Sequence, residues 1–144
     1  MSLYLDTSCL LKLFFPERES ARVAALVAAE ERVVISTLAH LELRVQVQGR
    51  VAGGTLPARS ATALMAVIDR TLGQSPYEIA ETPSHVFAIA AGQIAPFGRS
   101  VHCRTLDRLH LATMEALGLR RLLTNDETQA RAAAARGFEV LRPR

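Results

Sequence analysis

The chain alternates two hydrophobic rhythms along its length. Leu3-Tyr4-Leu5, Val33-Val34-Ile35 and Leu122-Leu123 are apolar at every position and too short for helices, so they read as strands buried on both faces. Between them, apolar residues recur at helical spacing. Cys9 to Phe15 predicts a two-turn helix stopped by Pro16, and Glu17 to Glu31 carries a broad stripe through Ala21, Val23, Ala24, Leu26, Val27 and Ala28. Leu38 to Val51 predicts a helix broken at Gly53-Gly54, and Pro57 opens the next, Ala58 to Leu72, with Ala61, Leu64, Met65 and Ile68 on one face.

Tyr77 to Glu81 alternates and predicts a third, less buried strand. Thr82-Pro83 has the character of an N-cap and first turn for a helix from Ser84 to about Ile94, and Pro96, Gly98 and Ser100 mark a loop. Thr105 to Leu117 predicts a helix closed by Gly118. A strand at Leu122-Leu123-Thr124 follows, then an alanine-rich helix from Glu127 to Arg136 ended by Gly137. Phe138 to Leu141 predicts a short last strand. Strands joined by helical segments pair in parallel. The expected class is therefore α/β, one domain over residues 1–144 with a central parallel sheet of four to five short strands and helices on both faces.

Composition sharpens this only slightly. The net charge is +3, and Lys12 is the only lysine, so the positive charge is almost all arginine. The guanidinium fork suits phosphates, yet so small an excess does not separate nucleic-acid binding from a general arginine preference. Cys9 and Cys103 stand in no metal-ligand spacing, the N-terminus has no signal-peptide pattern, and no apolar run reaches the roughly 20 residues that span a bilayer. The expectation is a cytoplasmic protein with no membrane segment.

Candidate chemistry comes from the acids. Of four aspartates, Asp6 ends the first predicted strand, Asp107 lies in the first turn of a helix and Asp126 follows the fourth strand; Asp69, on a surface helix, is the exception. Glu42 lies early in the helix after the second strand. In a parallel sheet whose central strands are the first, second and fourth, these positions share the rim at the strands' carboxyl ends. Each acid taken alone reads as a helix cap or dipole residue. Together they form a carboxylate pocket whose mutual repulsion a divalent cation relieves, and hard oxygen ligands fit Mg²⁺ or Mn²⁺ better than zinc. Such an ion can activate water and orient a phosphodiester. Arg104 and Arg108 flank Asp107 and read equally as contacts to the phosphates of a nucleic acid or as a solvated face. His110, on a similar helical face to Asp107, reads as a packing or hydrogen-bonding residue.

The chain resembles PIN-domain proteins, and more narrowly the ribonuclease toxins of VapBC-type toxin–antitoxin pairs. The resemblance rests on four stretches in order: Leu5-Asp6-Thr7-Ser8 with Leu11-Lys12-Leu13; Ile35 to Leu43, which contains Glu42; Leu106 to Thr113, which contains Asp107; and Leu123-Thr124-Asn125-Asp126. The trailing Arg136 to Val140 resembles the family's last strand, while residues 50–99 carry no signature. The resemblance implies a metal-dependent endoribonuclease in which Asp6, Glu42, Asp107 and Asp126 bind Mg²⁺ or Mn²⁺. Ser8 and Thr124 would support the cluster. It also implies a homodimer, a small antitoxin laid across the groove and a tRNA or rRNA target. Glu127 is not assigned to the metals, because neighbouring residues at a helix start point in different directions.

Two other classes stay open. One is a catalytically silent PIN-like domain that binds RNA or a partner. The other is a phosphatase-like α/β hydrolase, which the sequence disfavours. A second aspartate two residues after the first is missing, because Ser8 stands there, and no glycine-rich phosphate loop follows any strand.

Overall fold

A computed structural model describes residues 1–94 and 102–144; the expected loop at Pro96, Gly98 and Ser100 lies outside the described residues. The chain runs β1 (Ser2–Leu5), α1 (Thr7–Phe14), α2 (Ser20–Ala28), β2 (Arg32–Ser36), α3 (Thr37–Ala52), α4 (Ala58–Leu72), β3 (Tyr77–Ala80) and α5 (Val86–Gly92). It continues with α6 (Thr105–Ala116), β4 (Arg121–Leu123), α7 (Glu127–Ala135) and β5 (Glu139–Leu141). The strands form one parallel sheet in the order β3-β2-β1-β4-β5. The α/β class and the central place of the first, second and fourth strands are as expected.

Alternation along β1 divides the core. Leu3 and Leu5 join Val33, Ile35 and Leu123 beneath α1 to α4 on one face. Tyr4, pointing the other way, joins Val34, Leu122, Leu111, Met114, Ala132 and Ala133 on the opposite face. Burial on both sides is why these strands read as unbroken apolar runs. Burying each such Leu or Ile side chain contributes about 1.5–3 kcal/mol.

The strand order also places the site. From β1 the chain winds outward to β2 and β3, then crosses to the far side for β4 and β5. The direction of winding therefore reverses at the β1–β4 seam, where open parallel sheets have their crevice. The register pairs Leu5 with Leu123 there, so both strands end level, and Asp6 donates its N–H to the Leu123 carbonyl at 3.3 Å.

Two helix ends follow local chemistry closely, and one helix start departs from it. Gly118 and Gly137 take φ values of 69° and 82° just past α6 and α7, where a side chain would be strained. Thr82, expected to cap α5, does not: that helix begins at Val86 and His85 stands at its N-cap without a side-chain bond. The Thr82 hydroxyl instead accepts from the Leu38 N–H at 3.2 Å, and the Thr82 N–H donates to the Thr37 hydroxyl at 2.9 Å. A tertiary contact with the start of α3 outcompetes the local cap.

Candidate active site

Asp6 is the N-cap of α1. Its Oδ1 accepts from the Cys9 N–H at 3.1 Å and from the Ser8 hydroxyl at 2.7 Å, while its Oδ2 accepts from the Thr124 hydroxyl across the seam. The residue is only 5% exposed. Burial pushes its carboxyl above the usual carboxylate range, against the opposing pull of Thr124, Ser8, the Cys9 amide and the nearby His110. Ser8 and Thr124 each do more than face Asp6: Ser8 Oγ accepts from the Asn125 N–H at 3.1 Å, and Thr124 Oγ1 accepts from the Asp126 N–H at 3.1 Å. The two hydroxyls lock the β1 and β4 exits to each other.

Glu42 projects from α3, partly buried, with Oε1 accepting from the Thr7 hydroxyl at 3.0 Å and meeting His110 Nε2 at 2.5 Å. Burial alone would raise its pKa. The hydrogen bond with His110, with smaller help from Thr7 and Arg104, brings the carboxyl below its ordinary value. Asp107 lies in the first turn of α6, and Asp126 is the N-cap of α7, with Oδ1 accepting from the Gln129 N–H at 2.8 Å. Arg104 bridges these two acids: its Nε donates to Asp107 Oδ2 at 2.9 Å and a terminal nitrogen donates to Asp126 Oδ2 at 3.2 Å. One guanidinium, 63% exposed at the mouth, thus offsets two carboxylates.

Asp6, Glu42, Asp107 and Asp126 all line one cleft of about 270 Å³, together with Thr7, Ser8, Leu11, Gln46, Arg104 and His110. Each acid comes from a different helix start or early turn, and the sheet brings them to one rim. Arg108, partly buried, is not among the lining residues. Nor is Glu127, which pairs with Arg142 at 3.2 Å and Arg131 at 3.7 Å. Asp69 lies apart and bonds His40 at 2.9 Å.

The lining acids supply hard oxygen donors, which fit a Mg²⁺ or Mn²⁺ ion in chemistry. Among the described residues, no three His, Cys, Asp or Glu side chains are gathered tightly enough to hold an ion as they stand. Asp107 and Asp126 are engaged by Arg104, so an ion would have to displace that guanidinium and draw the carboxylates inward.

Behind Glu42 lies a polar chain that sequence reasoning missed. His110 Nδ1 is 2.6 Å from the Tyr4 hydroxyl, which is 2.8 Å from Ser36 Oγ, and Ser36 in turn accepts from the Ala39 N–H at 3.1 Å as the N-cap of α3. Reading His110 as a hydrogen-bonding residue was right in kind, but its partners were not legible. One signal was available: a tyrosine inside an all-apolar strand has a hydroxyl that needs a buried partner. Thr7, a residue that no sequence pattern singles out, donates to Glu42 as well.

Comparison with known proteins agrees with the fold. The sequence matches the PIN domain family over residues 3–135. It is 29% identical over 144 residues to Ribonuclease VapC46 of Mycobacterium tuberculosis, covering 99% of this chain and 98% of that one. Among solved structures, FitAcB from Neisseria gonorrhoeae superposes with a TM-score of 0.71 at 22% identity, covering 98% of this chain and 97% of that one. VapC20 of Mycobacterium tuberculosis, described as a Sarcin-Ricin loop cleaving toxin, gives a TM-score of 0.69 at 17% identity over 94% of this chain and 95% of that one. At such identities the structural likeness speaks for the fold alone.

Proposed function

The chain belongs to the PIN domain family, and from that premise we propose that it is a metal-dependent endoribonuclease, the toxin of a type II toxin–antitoxin pair. The observation that carries the reading is the cleft at the β1–β4 seam, lined by Asp6, Glu42, Asp107 and Asp126. These four acids hold Mg²⁺ or Mn²⁺ in this reading. When bound, the ion supplies Lewis acidity and lowers the pKa of water for attack on a phosphodiester.

The chain's own groups orient that chemistry. Ser8 and Thr124 fix the Asp6 carboxylate through hydroxyls on both of its oxygens. Arg104, at the mouth, exchanges its carboxylate partners for an RNA phosphate, a geometry its forked donors suit. Arg108, one turn along α6 from Arg104, is assigned a weaker role of the same kind. The RNA is tRNA or rRNA, the working form is a homodimer in the cytoplasm, and a cognate antitoxin silences it. Relatives solved as VapBC and FitAB assemblies support the antitoxin. So do Leu41 and Val45, exposed on α3, since apolar surface of this kind is what a partner protein covers.

The test is direct. Purified protein should cut a pool of tRNA and rRNA fragments in Mn²⁺ or Mg²⁺, stop in EDTA, and lose activity as Asp6→Asn. Cutting that persists in chelator would refute the metal mechanism. The Arg104 bridge favours one second reading, a PIN-fold domain that binds RNA or a partner without cutting. RNA retention by a wild type that never cleaves, with any divalent ion supplied, would establish that reading instead.

A further inference from the structure

We propose that His110 and Tyr4 are positioning residues that hold the Glu42 carboxylate in its working orientation. The proposal rests on the ribonuclease reading for its purpose, and on geometry for its substance. Glu42 is anchored in α3, His110 in α6 and Tyr4 in β1, and the three join through contacts of 2.5 Å and 2.6 Å. His110 is 3% exposed and Tyr4 and Ser36 are fully buried, so the half of the chain behind His110 is shielded from bulk solvent. The rings of Tyr4 and His110 meet edge to face at 5.8 Å, which restricts rotation of the imidazole.

The relay we propose runs from Ser36 to Glu42. The Glu42 carboxylate only accepts, so His110 Nε2 carries the proton between them. At the other end Ser36 Oγ accepts from the Ala39 N–H, and in the proposed relay its own hydrogen points to the Tyr4 oxygen. Tyr4 then donates its hydroxyl hydrogen to His110 Nδ1. Tyr4 thereby selects the tautomer that presents Nε2–H to Glu42, as an outer partner does for a ligand histidine. Here the oriented ligand is the carboxylate, and the device is built into the sheet: β1 supplies Asp6 to the cleft and, two residues earlier, the tyrosine that steadies Glu42.

Conservative variants separate this from simple packing. His110→Gln keeps an N–H donor near the Nε2 position, whereas His110→Asn keeps a group near Nδ1 and loses the donor to Glu42. Tyr4→Phe removes a single oxygen. In the full-length protein, Mn²⁺ titrated by calorimetry should bind His110→Asn about tenfold or more weaker than wild type, the scale on which losing an orienting partner acts. His110→Gln should stay within about threefold and Tyr4→Phe should fall between. A folded His110→Asn with wild-type Mn²⁺ affinity, or a Gln variant as weak as Asn, overturns the proposal.

Imidazole ¹⁵N NMR gives a readout that needs no metal, and its main signature is read on the wild type. The His110 ring should show a slowly exchanging proton on Nε2 and an unprotonated Nδ1, with Nδ1 shifting in Tyr4→Phe. A proton found on Nδ1, alone or together with one on Nε2, overturns the relay. A wild type that shows the NMR signature but never binds Mn²⁺ overturns the metal reading and the relay's purpose together.

Discussion

Replacing Thr124 by valine removes one hydroxyl from a fully buried site with almost no change of shape. That hydroxyl donates to Asp6 Oδ2 and accepts from the Asp126 N–H. A hydrogen bond to a charged group contributes about 1.5–3 kcal/mol and a neutral one about 0.5–1.5 kcal/mol, so Thr124→Val should cost about 2–4 kcal/mol. For a chain of 144 residues that corresponds to a fall in Tm of about 7–13 °C. Urea melts in EDTA measure it without interference from metal ions. The decisive comparison is a double-mutant cycle with Asp6→Asn. Most of the cost comes from leaving a buried carboxylate without its donor, so in the Asp6→Asn background the same valine should cost only about 1 kcal/mol. A loss below about 0.5 kcal/mol in the wild type, or an equal loss in both backgrounds, would refute the claim that Thr124 solvates Asp6.

Two further outcomes follow from charges in the fold. The Glu42 carboxyl lies below its ordinary 4.5 in the folded state, so it contributes stability that is present above that value and lost as pH falls through the folded pKa. Asp6 has the opposite sign: its folded pKa lies above 3.8, so stability is lost as pH rises through it. Acid melts should therefore flatten below about pH 4.5 in Glu42→Gln, while Asp6→Asn should gain stability towards neutral pH. Either variant tracking the wild-type profile throughout would contradict the assignment. At the amino ends of the strands, just before β2 and at the start of β4, Arg121 and Glu30 form a nearly buried pair at 2.7 Å, with the exposed Glu139 at 3.5 Å from the same guanidinium. Arg121→Leu alone should cost about 3–5 kcal/mol in a denaturant melt, and adding Glu30→Leu should recover most of it, because the single change strands a buried charge. A double variant no more stable than the single would show that the pair does more than cancel itself.

The sequence carried most of the fold because the fold's elements are local in origin. Unbroken apolar runs too short for helices read as strands buried on both faces, the spacing in Ala58–Leu72 turns one apolar face inward, and Gly118 and Gly137 mark ends that take a positive φ. The four acids were legible for the same reason: each stands at a helix start or early turn, a position set by its own neighbours. What local pattern could not supply was the partner of each polar group. His110 lies 68 residues from Glu42 and 106 from Tyr4, and Thr124 lies 118 from Asp6; no periodicity links them. Strand order decided those contacts by setting β1 between β2 and β4. It also drew Thr82 away from its expected cap and laid Arg104 between Asp107 and Asp126. Sequence alone therefore determined which residues could do chemistry. Only the packed sheet, which excludes water and leaves each buried hydroxyl, imidazole and carboxylate to find a protein partner, decided how those residues are held.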